Sequence, residues 1–87
     1  MTLQVRYHKS FKKDYKKLSN NVQDIFNDKI LKFLKNPQDA IFKDHALNGP
    51  LKGYRAFSIM GDMRVIYLHH DQNLIGLVRI GTHNQVY

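Results

Sequence analysis

The last third of the chain contains three short segments rich in β-branched and aromatic residues, and two turn signals separate them. The segments are residues 53–60, 63–69 and 74–80, and the turns are Gly61-Asp62 and residues 71–73. Connections this short join antiparallel neighbours, so the pattern predicts a three-stranded meander. A meander with an apolar face needs a second layer to cover that face, which limits what the preceding residues can form.

Two amphipathic helices are predicted ahead of the meander. Ser10 stands where an N-cap belongs, and Phe11 and Tyr15 follow at helical spacing, with lysines on the opposite face. The second helix stops at Asn36, because the residue before Pro37 avoids the helical region. So short a link between the two helices predicts an antiparallel hairpin. The buried stripe of the second helix is expected to consist of Val22, Ile25, Phe26, Ile30, Phe33 and Leu34.

The remaining segments complete an α+β fold. Residues 3–7 alternate apolar and polar side chains, which predicts a half-buried strand in the same sheet. Residues 37–52 show no sustained period and predict a loop with an apolar anchor at residues 40–42. The expected order is β-α-α-β-β-β: an antiparallel sheet with a helical hairpin packed on one face, in a single domain spanning residues 1–87.

The charge of the chain is strongly positive and unevenly distributed. Fourteen lysines and arginines stand against seven acidic residues, which gives a net charge of +7. Residues 1–36 hold nine of the basic residues and three of the acidic ones. A positive field on one part of a small domain favours a polyanionic partner, most often nucleic acid. An acidic protein would be attracted by the same field, and a merely solubilising lysine-rich helix face is the third interpretation.

Composition also excludes several kinds of site. The chain has no cysteine, which excludes a disulfide framework, a thiolate zinc site and a cysteine nucleophile. The five histidines include no pair at i,i+4 and there is no glutamate, so neither a metal site nor a cofactor is expected. No apolar run approaches the roughly 18 residues of a membrane span, and we expect a cytoplasmic protein without a membrane partner.

Arg79 is a charged residue within an otherwise apolar predicted strand. Strict alternation puts Arg79 on the same face as Ile75 and Leu77. Arg55 and Arg64, on the two neighbouring strands, could join it in a phosphate-binding cluster, since the planar fork of arginine suits rigid phosphate recognition. The alternative is a strand-end arginine whose side chain extends to water.

His83 is the third residue after the same predicted strand. A histidine beside arginines is suited to moving protons during phosphodiester cleavage. Each of the five histidines, considered alone, also fits a structural or solvated role. The residues by themselves therefore leave both interpretations open.

Four short segments of the chain stand out in a fixed order. They are Lys43-Asp44-His45-Ala46-Leu47, Leu51-Lys52-Gly53-Tyr54-Arg55, Gly61-Asp62-Met63-Arg64-Val65-Ile66-Tyr67 and Arg79-Ile80-Gly81-Thr82-His83. Their order resembles that in toxins of the RelE/ParE superfamily, and the sequence most resembles the YafQ-like branch of the RelE-type mRNA interferases, over nearly the whole chain. The resemblance implies a RelE-like microbial RNase fold, a cognate antitoxin, and ribosome-dependent cleavage of mRNA in the A site, beside 16S rRNA.

The resemblance also assigns roles by position. In the implied reaction a ribose 2′-oxygen attacks the adjacent phosphorus and expels the 5′-oxygen. His83 matches the catalytic histidine that protonates the leaving oxygen, while either His45 or Asp62 would take the 2′ proton. Arg79 would stabilise charge on the phosphorane oxygens. Tyr87 occupies the place of a C-terminal aromatic residue and would stack on a base.

Seven further residues are candidates for RNA binding, and two positions depart from the YafQ pattern. Ser58 replaces a histidine and Met63 replaces a tryptophan, which argues against a scheme with three catalytic histidines. Two alternatives remain open: a ParE-like gyrase inhibitor without nuclease chemistry, and a non-catalytic module that binds RNA or the ribosome. The seven candidates are Arg55, Arg64, Met63, Lys52, Lys12, Lys13 and Lys16.

Overall fold

The predicted meander is present in the computed structural model, which describes residues 2–87. Five strands form one sheet in the order β1-β5-β4-β3-β2, and the α+β class is confirmed. Within residues 2–87, none of the helices is long and apolar enough to cross a membrane. The strands are β1 (Gln4–Tyr7), β2 (His45–Ala46), β3 (Arg55–Met60), β4 (Met63–His69) and β5 (Leu74–Thr82). The helices are α1 (Lys9–Lys16), α2 (Asn20–Lys35) and α3 (His83–Val86), with 3₁₀ turns at Ala40–Phe42 and Gly49–Leu51.

The sheet is mixed rather than wholly antiparallel. β1 pairs in parallel with β5, from Gln4 opposite Leu74 to Tyr7 opposite Leu77, whereas the other three pairings are antiparallel. A long helical connection between β1 and the rest of the sheet permits a parallel neighbour. The prediction of an antiparallel sheet is therefore wrong for β1, because alternation identifies a strand without giving its direction.

The main core lies between one face of the sheet and helices α1 and α2. Phe57, Val65 and Leu77, from three adjacent strands, are fully buried. Phe33 of α2 stacks on Phe57, with ring centroids 3.8 Å apart. Each such side chain contributes roughly 1.5–3 kcal/mol when buried, so packing on the sheet holds the helices. Of the predicted stripe on α2, Phe26, Ile30, Phe33 and Leu34 are buried, while Val22 and Ile25 are half-buried.

Two local predictions need correction. Ser10 does not cap α1: the N-cap is His8, and the Ser10 hydroxyl donates to the carbonyl oxygen of Val78 at 2.6 Å. Of residues 40–42, Phe42 is the buried anchor, whereas Ile41 is 55% exposed. In both places the local pattern identifies the feature and misassigns the residue, because contacts with distant strands decide where the side chain goes.

A β-bulge in β5 changes which side chains face the main core. The pairing of β5 with β4 skips Val78, which is the extra residue of the bulge. A bulge shifts the alternation by one residue. Ile80, rather than Arg79, therefore joins Ile75 and Leu77 in the core. The predicted column of Ile75, Leu77 and Arg79 is wrong for this reason.

The last strand extends beyond residue 80, where the strand predicted from the sequence ends. β5 continues through Gly81 to Thr82, and α3 begins at the next residue. Gly81 is buried, and a Cβ atom there would lie 2.8 Å from Oε1 of Gln85 and 3.2 Å from Cγ1 of Val86. A glycine is required here because α3 folds back closely against the strand.

The face of the sheet away from α1 and α2 carries a smaller apolar cluster. Ala56 and Ile66 are buried there with Val86 of α3, and Leu47 and Tyr54 pack beside them. Ala56 of β3 lies on this face, whereas Phe57 and Ile59 of the same strand belong to the main core. The polar residues at the rim of this smaller cluster form the candidate site.

Candidate active site

An open cleft of about 440 Å³ lies beside the smaller apolar cluster. Its walls come from β2 and the loop that follows, from β4, and from the C-terminal segment. Four predicted site residues, His45, Arg64, His83 and Tyr87, meet here although they are far apart in the sequence. The full lining is His45, Ala46, Leu47, Asn48, Arg64, His83 and Tyr87.

The backbone holds the imidazole of His45 in one tautomer. Nδ1 lies 2.9 Å from the carbonyl oxygen of Lys43, and a carbonyl only accepts, so Nδ1 carries the proton. In the neutral ring, Nε2 is then the unprotonated nitrogen. Lys43 has a φ of 50°, a left-handed conformation that is uncommon for a residue with a side chain. Backbone strain of this kind is concentrated at functional sites.

Asp44, next to His45, is anchored from the sheet. Arg55 donates to its two carboxylate oxygens at 3.3 and 3.0 Å, and the Tyr67 hydroxyl donates at 2.7 Å. Burial and the hydrogen bond to Asp44 raise the pKa of Tyr67 well above its usual range, so the hydroxyl remains a donor. The bond to Asp44 also raises the pKa of Arg55. These charge-assisted bonds fix the backbone that carries His45.

His83 is the first residue of α3, and two hydrogen bonds fix where that helix begins. The backbone N–H of His83 donates to Oδ2 of Asp62 at 3.3 Å, and the N–H of Thr82 donates to Oε1 of Gln85 at 2.8 Å. A carboxylate is stabilising at a helix N-terminus because it accepts otherwise unpaired N–H groups. Asp62 thus contacts the backbone of His83 and lies outside the lining of the cleft.

Arg64 and Tyr87 bring a positive charge and an aromatic ring to the cleft. The Arg64 guanidinium donates to the carbonyl oxygens of Gly61 and Met63 at 2.9 and 3.3 Å from one nitrogen, and its other N–H groups remain for a ligand. The Tyr87 ring meets His83 edge-on, with centroids 4.4 Å apart. Burial raises the pKa of Tyr87 above 10, although the charge of Arg64 acts in the opposite direction.

The three strand arginines do not form one cluster, and that prediction is wrong. Arg55 lies on the main-core face with Asp44, whereas Arg64 lies in the cleft on the other face. Arg79 donates to the carboxylate of Asp14 at 2.6 and 3.2 Å and lines a separate pocket of about 300 Å³. The bond to Asp14 raises the pKa of Arg79. β5 pairs Arg79 with Ile66 of the smaller apolar cluster, so the bulge puts Arg79 on the same face of the sheet as Arg64. The contact with Asp14 is what holds its guanidinium in a separate pocket.

The remaining candidates for RNA binding lie outside the cleft. Met63 packs against the main core, and Lys52 is exposed after the second 3₁₀ turn. Lys12 and Lys16 line a different groove, and Lys13 is exposed on the same helix. Their roles in binding RNA stay predictions.

Two groups of residues have positions that the sequence does not indicate. Leu47 and Asn48 line the cleft, and their only signal is that they directly follow the Asp-His segment. Asp14 appears in the sequence as one acid among lysines, yet it also accepts from the N–H of Ile80 at 3.1 Å. Within residues 2–87, no group of three or more possible ligands could hold a metal ion.

The mixed sheet with two helices packed on one face is the fold of the RelE-like toxins. The sequence profile described as a bacterial toxin of type II toxin-antitoxin system, YafQ, matches residues 3–87. The chain therefore belongs to the YafQ family of toxins of type II toxin–antitoxin systems, and the predicted family is confirmed.

Three solved structures show the extent of the similarity. A copper-bound mutant toxin from Helicobacter pylori is 36% identical, with 98% of this chain and 99% of that one covered and a TM-score of 0.79. YafQ from E. coli strain BL21(DE3) is 28% identical over 98% of each chain, with a TM-score of 0.79. A chain of the E. coli DinJ-YafQ toxin-antitoxin complex is 25% identical over 100% and 99%, with a TM-score of 0.78. No curated protein matches the sequence.

Proposed function

We propose that this toxin is a ribosome-dependent endoribonuclease that cleaves mRNA in the A site. Toxins of the YafQ and RelE type are mRNA interferases. The observation that supports the activity in this chain is the cleft, where His45 and His83 stand with Arg64. Cleavage of RNA by its own 2′-hydroxyl needs one group to accept a proton and another to supply one. Two histidines in a single cleft meet that need.

His45 is the proposed general base. Because its Nδ1–H is engaged by the carbonyl of Lys43, its Nε2 accepts the proton of the ribose 2′-hydroxyl as O2′ attacks the adjacent phosphorus. The family resemblance gives Asp62 as the alternative general base. Its contact with the backbone N–H of His83 favours a role in positioning α3 instead.

His83 is the proposed general acid. As the bond between phosphorus and O5′ breaks, protonated His83 gives its proton to O5′. The products are a 2′,3′-cyclic phosphate on one fragment and a 5′-hydroxyl on the other. The proton from O2′ stays on His45, so the two histidines exchange protonation states during one turnover.

Arg64 is the proposed cation for the phosphorane, the role that the resemblance gives to Arg79. Arg64 lines the cleft, whereas Arg79 is already bound by Asp14 in a separate pocket. Donors fixed where charge develops lower the barrier because they need no reorganisation. Tyr87, 44% exposed beside His83, is the proposed platform on which a base stacks. Arg55 is engaged by Asp44, so we assign it to positioning His45 rather than to RNA.

The proposed partners are mRNA, the ribosome with its 16S rRNA, and a cognate antitoxin, all in the cytoplasm. The E. coli relative in complex with DinJ supports the antitoxin. The net charge of +7 supports association with polyanionic surfaces.

Primer extension on mRNA from ribosomes incubated with purified protein tests the activity. We expect wild type to cut within A-site codons and His83→Ala and His45→Ala to cut at least about 100-fold more slowly. The matched control is His69→Ala, because His69 is exposed at the end of β4 and outside the cleft. It should cut at nearly the wild-type rate.

Two results would reject the proposal. Intact mRNA with wild type would indicate the gyrase-inhibitor or non-catalytic alternative. Cutting that survives in both cleft variants would show that the histidines do not perform the chemistry.

A further inference from the structure

Two further histidines meet outside the cleft that holds His45 and His83, which we call the histidine cleft. His8 follows β1, and His70 follows β4, 62 residues further along the chain. Their Nε2 atoms lie 3.2 Å apart, and the planes of the two rings differ by only 5°. Neither residue lines the histidine cleft, so the proposed cleavage gives this pair no role.

The backbone of the sheet fixes the positions of both residues. The N–H of His8 donates to the carbonyl oxygen of Leu77 at 2.9 Å, and the N–H of His70 donates to that of Leu74 at 2.8 Å. Both acceptors belong to β5, so a single strand holds the two histidines. Groups that the fold positions before a ligand arrives lose little conformational entropy when the ligand binds.

Gly76, which lies between those two acceptors on β5, makes room for the imidazoles. Its neighbours Ile75 and Leu77 belong to the main core, so Gly76 faces the opposite side of the sheet. A Cβ atom on Gly76 would overlap Nε2 of both histidines. The lack of a side chain at this one position therefore lets the two nitrogens converge above the strand.

The separation of the two nitrogens is close to that of two ligands on one metal ion. Zn²⁺ binds imidazole nitrogen at about 2.0–2.1 Å, so two nitrogens at a tetrahedral angle lie about 3.3–3.4 Å apart. The observed 3.2 Å needs only a small adjustment to reach that value. A neutral imidazole can carry its proton on Nδ1, which leaves Nε2 free to bind a metal. The ion then takes the place of the proton in the hydrogen bond between the two rings.

The donor atoms and their exposure define the class of ion. Imidazole nitrogen suits Zn²⁺, Cu²⁺ and Ni²⁺, whereas Mg²⁺ and Ca²⁺ prefer oxygen ligands. Within residues 2–87 no third histidine or carboxylate completes a three-ligand group, and the carboxylate of Asp71 accepts from the N–H of Asn73 at 2.7 Å. His70 is exposed and His8 is half-buried. Water therefore has access to the remaining coordination positions.

We propose that His8 and His70 together bind a late first-row divalent metal ion such as Zn²⁺, with water as the other ligands. The ion joins the segment between β1 and α1 to the turn between β4 and β5. Only the folded chain brings these two residues together, so the ion stabilises the fold. The site is separate from the cleavage chemistry and does not depend on the proposed function.

The first test is calorimetry with the metal ion alone as the probe. The background is His45→Gln/His83→Gln, so that an ion held in the histidine cleft is not counted. We expect one Zn²⁺ per chain with a Kd of about 10 µM, tighter binding of Cu²⁺, and no binding of Mg²⁺ at the same concentrations.

Two variants and a matched control locate the ion. His8→Gln and His70→Gln should each bind Zn²⁺ at least about 10-fold more weakly, because one ligand is lost. The control is His69→Gln, which removes an exposed imidazole next to the site and should keep the affinity of the background.

Gly76→Ala tests the geometry while it keeps every histidine of the site. The added methyl group separates the two nitrogens, so we expect at least about a 10-fold loss of affinity. Circular dichroism at low temperature checks that the variant is folded. Thermal unfolding is the second measurement. Zn²⁺ at about ten times its Kd should raise Tm by about 5 °C in the background and by less than about 1 °C once His8→Gln/His70→Gln is added.

Four outcomes would overturn the metal site. No saturable Zn²⁺ binding would show that the pair forms a hydrogen bond and nothing more. Unchanged affinity in His8→Gln and His70→Gln would place the ion elsewhere. An equal loss in His69→Gln would indicate diffuse binding to surface histidines. Unchanged affinity in folded Gly76→Ala would show that convergence of the two nitrogens is not required.

Discussion

At the scale of single residues, Gly76 permits a contact between two distant histidines. Nε2 of His8 and Nε2 of His70 lie 3.2 Å apart, and the two ring planes differ by only 5°. The ring centroids are 5.3 Å apart. This distance exceeds the separation of the two nitrogens by nearly the sum of the two ring radii, so the nitrogens lie between the two centroids. The rings therefore meet head to head as an N–H···N hydrogen bond rather than face to face. A Cβ atom on Gly76 would overlap both nitrogens.

Gly76→Ala is therefore expected to cost about 1–2 kcal/mol of unfolding free energy, because the methyl group separates the two imidazoles. Urea denaturation in wild type and in a His8→Ala/His70→Ala background measures the coupling. The cost of Gly76→Ala should fall by about 1 kcal/mol once the histidines are gone. Equal costs in both backgrounds would contradict the proposed clash.

The buried hydroxyl of Tyr67 makes stability sensitive to alkaline pH. Burial and the Asp44 bond raise its pKa in the folded protein above the ordinary 10.0 of the unfolded chain. When the folded-state pKa lies above the unfolded value, the contribution of Tyr67 to the unfolding free energy is fully present below pH 10. It decreases as the pH rises above 10, because the unfolded chain releases the proton first.

Between about pH 9 and about pH 11, Tyr67 should thus contribute a loss of about 1 kcal/mol in unfolding free energy. Urea denaturation of wild type and of Tyr67→Phe at the two pH values isolates this contribution, because other groups titrate in both proteins. The variant should lose less stability over that range. A parallel loss in the two proteins would show that the hydroxyl ionises freely in the folded state.

At the scale of elements, α1 takes over the edge of β5 where β1 ends. β1 pairs with β5 only as far as Leu77. Beyond that point the Ser10 hydroxyl donates to the carbonyl of Val78, and Asp14 accepts from the N–H of Ile80. Side chains of a helix thus satisfy backbone groups that a strand would otherwise pair. These two hydrogen bonds therefore pair the β5 backbone at the bulge residue Val78 and two residues after it.

Asp14→Ala should therefore destabilise the protein by about 2 kcal/mol, since it leaves both Arg79 and a backbone N–H without a partner. The control is Asp28→Ala, which removes an exposed i,i+4 pair with Lys32 at 3.2 Å and should cost less than about 0.5 kcal/mol. Thermal or urea unfolding of the two variants compares them directly. Similar costs would show that the α1–β5 junction is no stronger than a surface ion pair.

At the scale of the whole molecule, the lysine-rich surface and the histidine cleft lie on different sides of the sheet. The lysine-rich helices cover one face of the sheet, and the histidine cleft opens on the other. Long-range attraction between exposed charges is screened by salt, whereas apolar contacts are not. The share of antitoxin binding that comes from charge can therefore be measured by changing the ionic strength.

Raising salt from about 0.1 M to about 0.5 M should weaken the antitoxin complex by about 10-fold, mainly through slower association. Stopped-flow or surface-binding kinetics at several salt concentrations measure the association and dissociation rates separately. In Lys12→Glu/Lys16→Glu the salt dependence should be smaller than in wild type. A complex that forms equally fast at all salt concentrations would exclude a role for the net charge of +7.

The elements could be predicted because each depends on a local period. The meander, the end of α2 before Pro37 and the apolar stripe on that helix all followed from the spacing of side chains. The family was also recognisable, because four short segments retained their order. The direction of β1 and the register of β5 could not be predicted, since both depend on pairing partners distant in the chain.

The sequence by itself determined the fold class, the basic helices and the candidates His45, Asp62, His83 and Tyr87. Only the tertiary structure decided which of these share a cleft, because strand pairing and the packing of α3 bring them together. It also separated the three arginines: Arg55 and Arg64 lie on opposite faces of the sheet, and Asp14 engages Arg79 in a separate pocket. Side-chain periodicity is local, whereas a site is made by contacts between segments far apart in sequence.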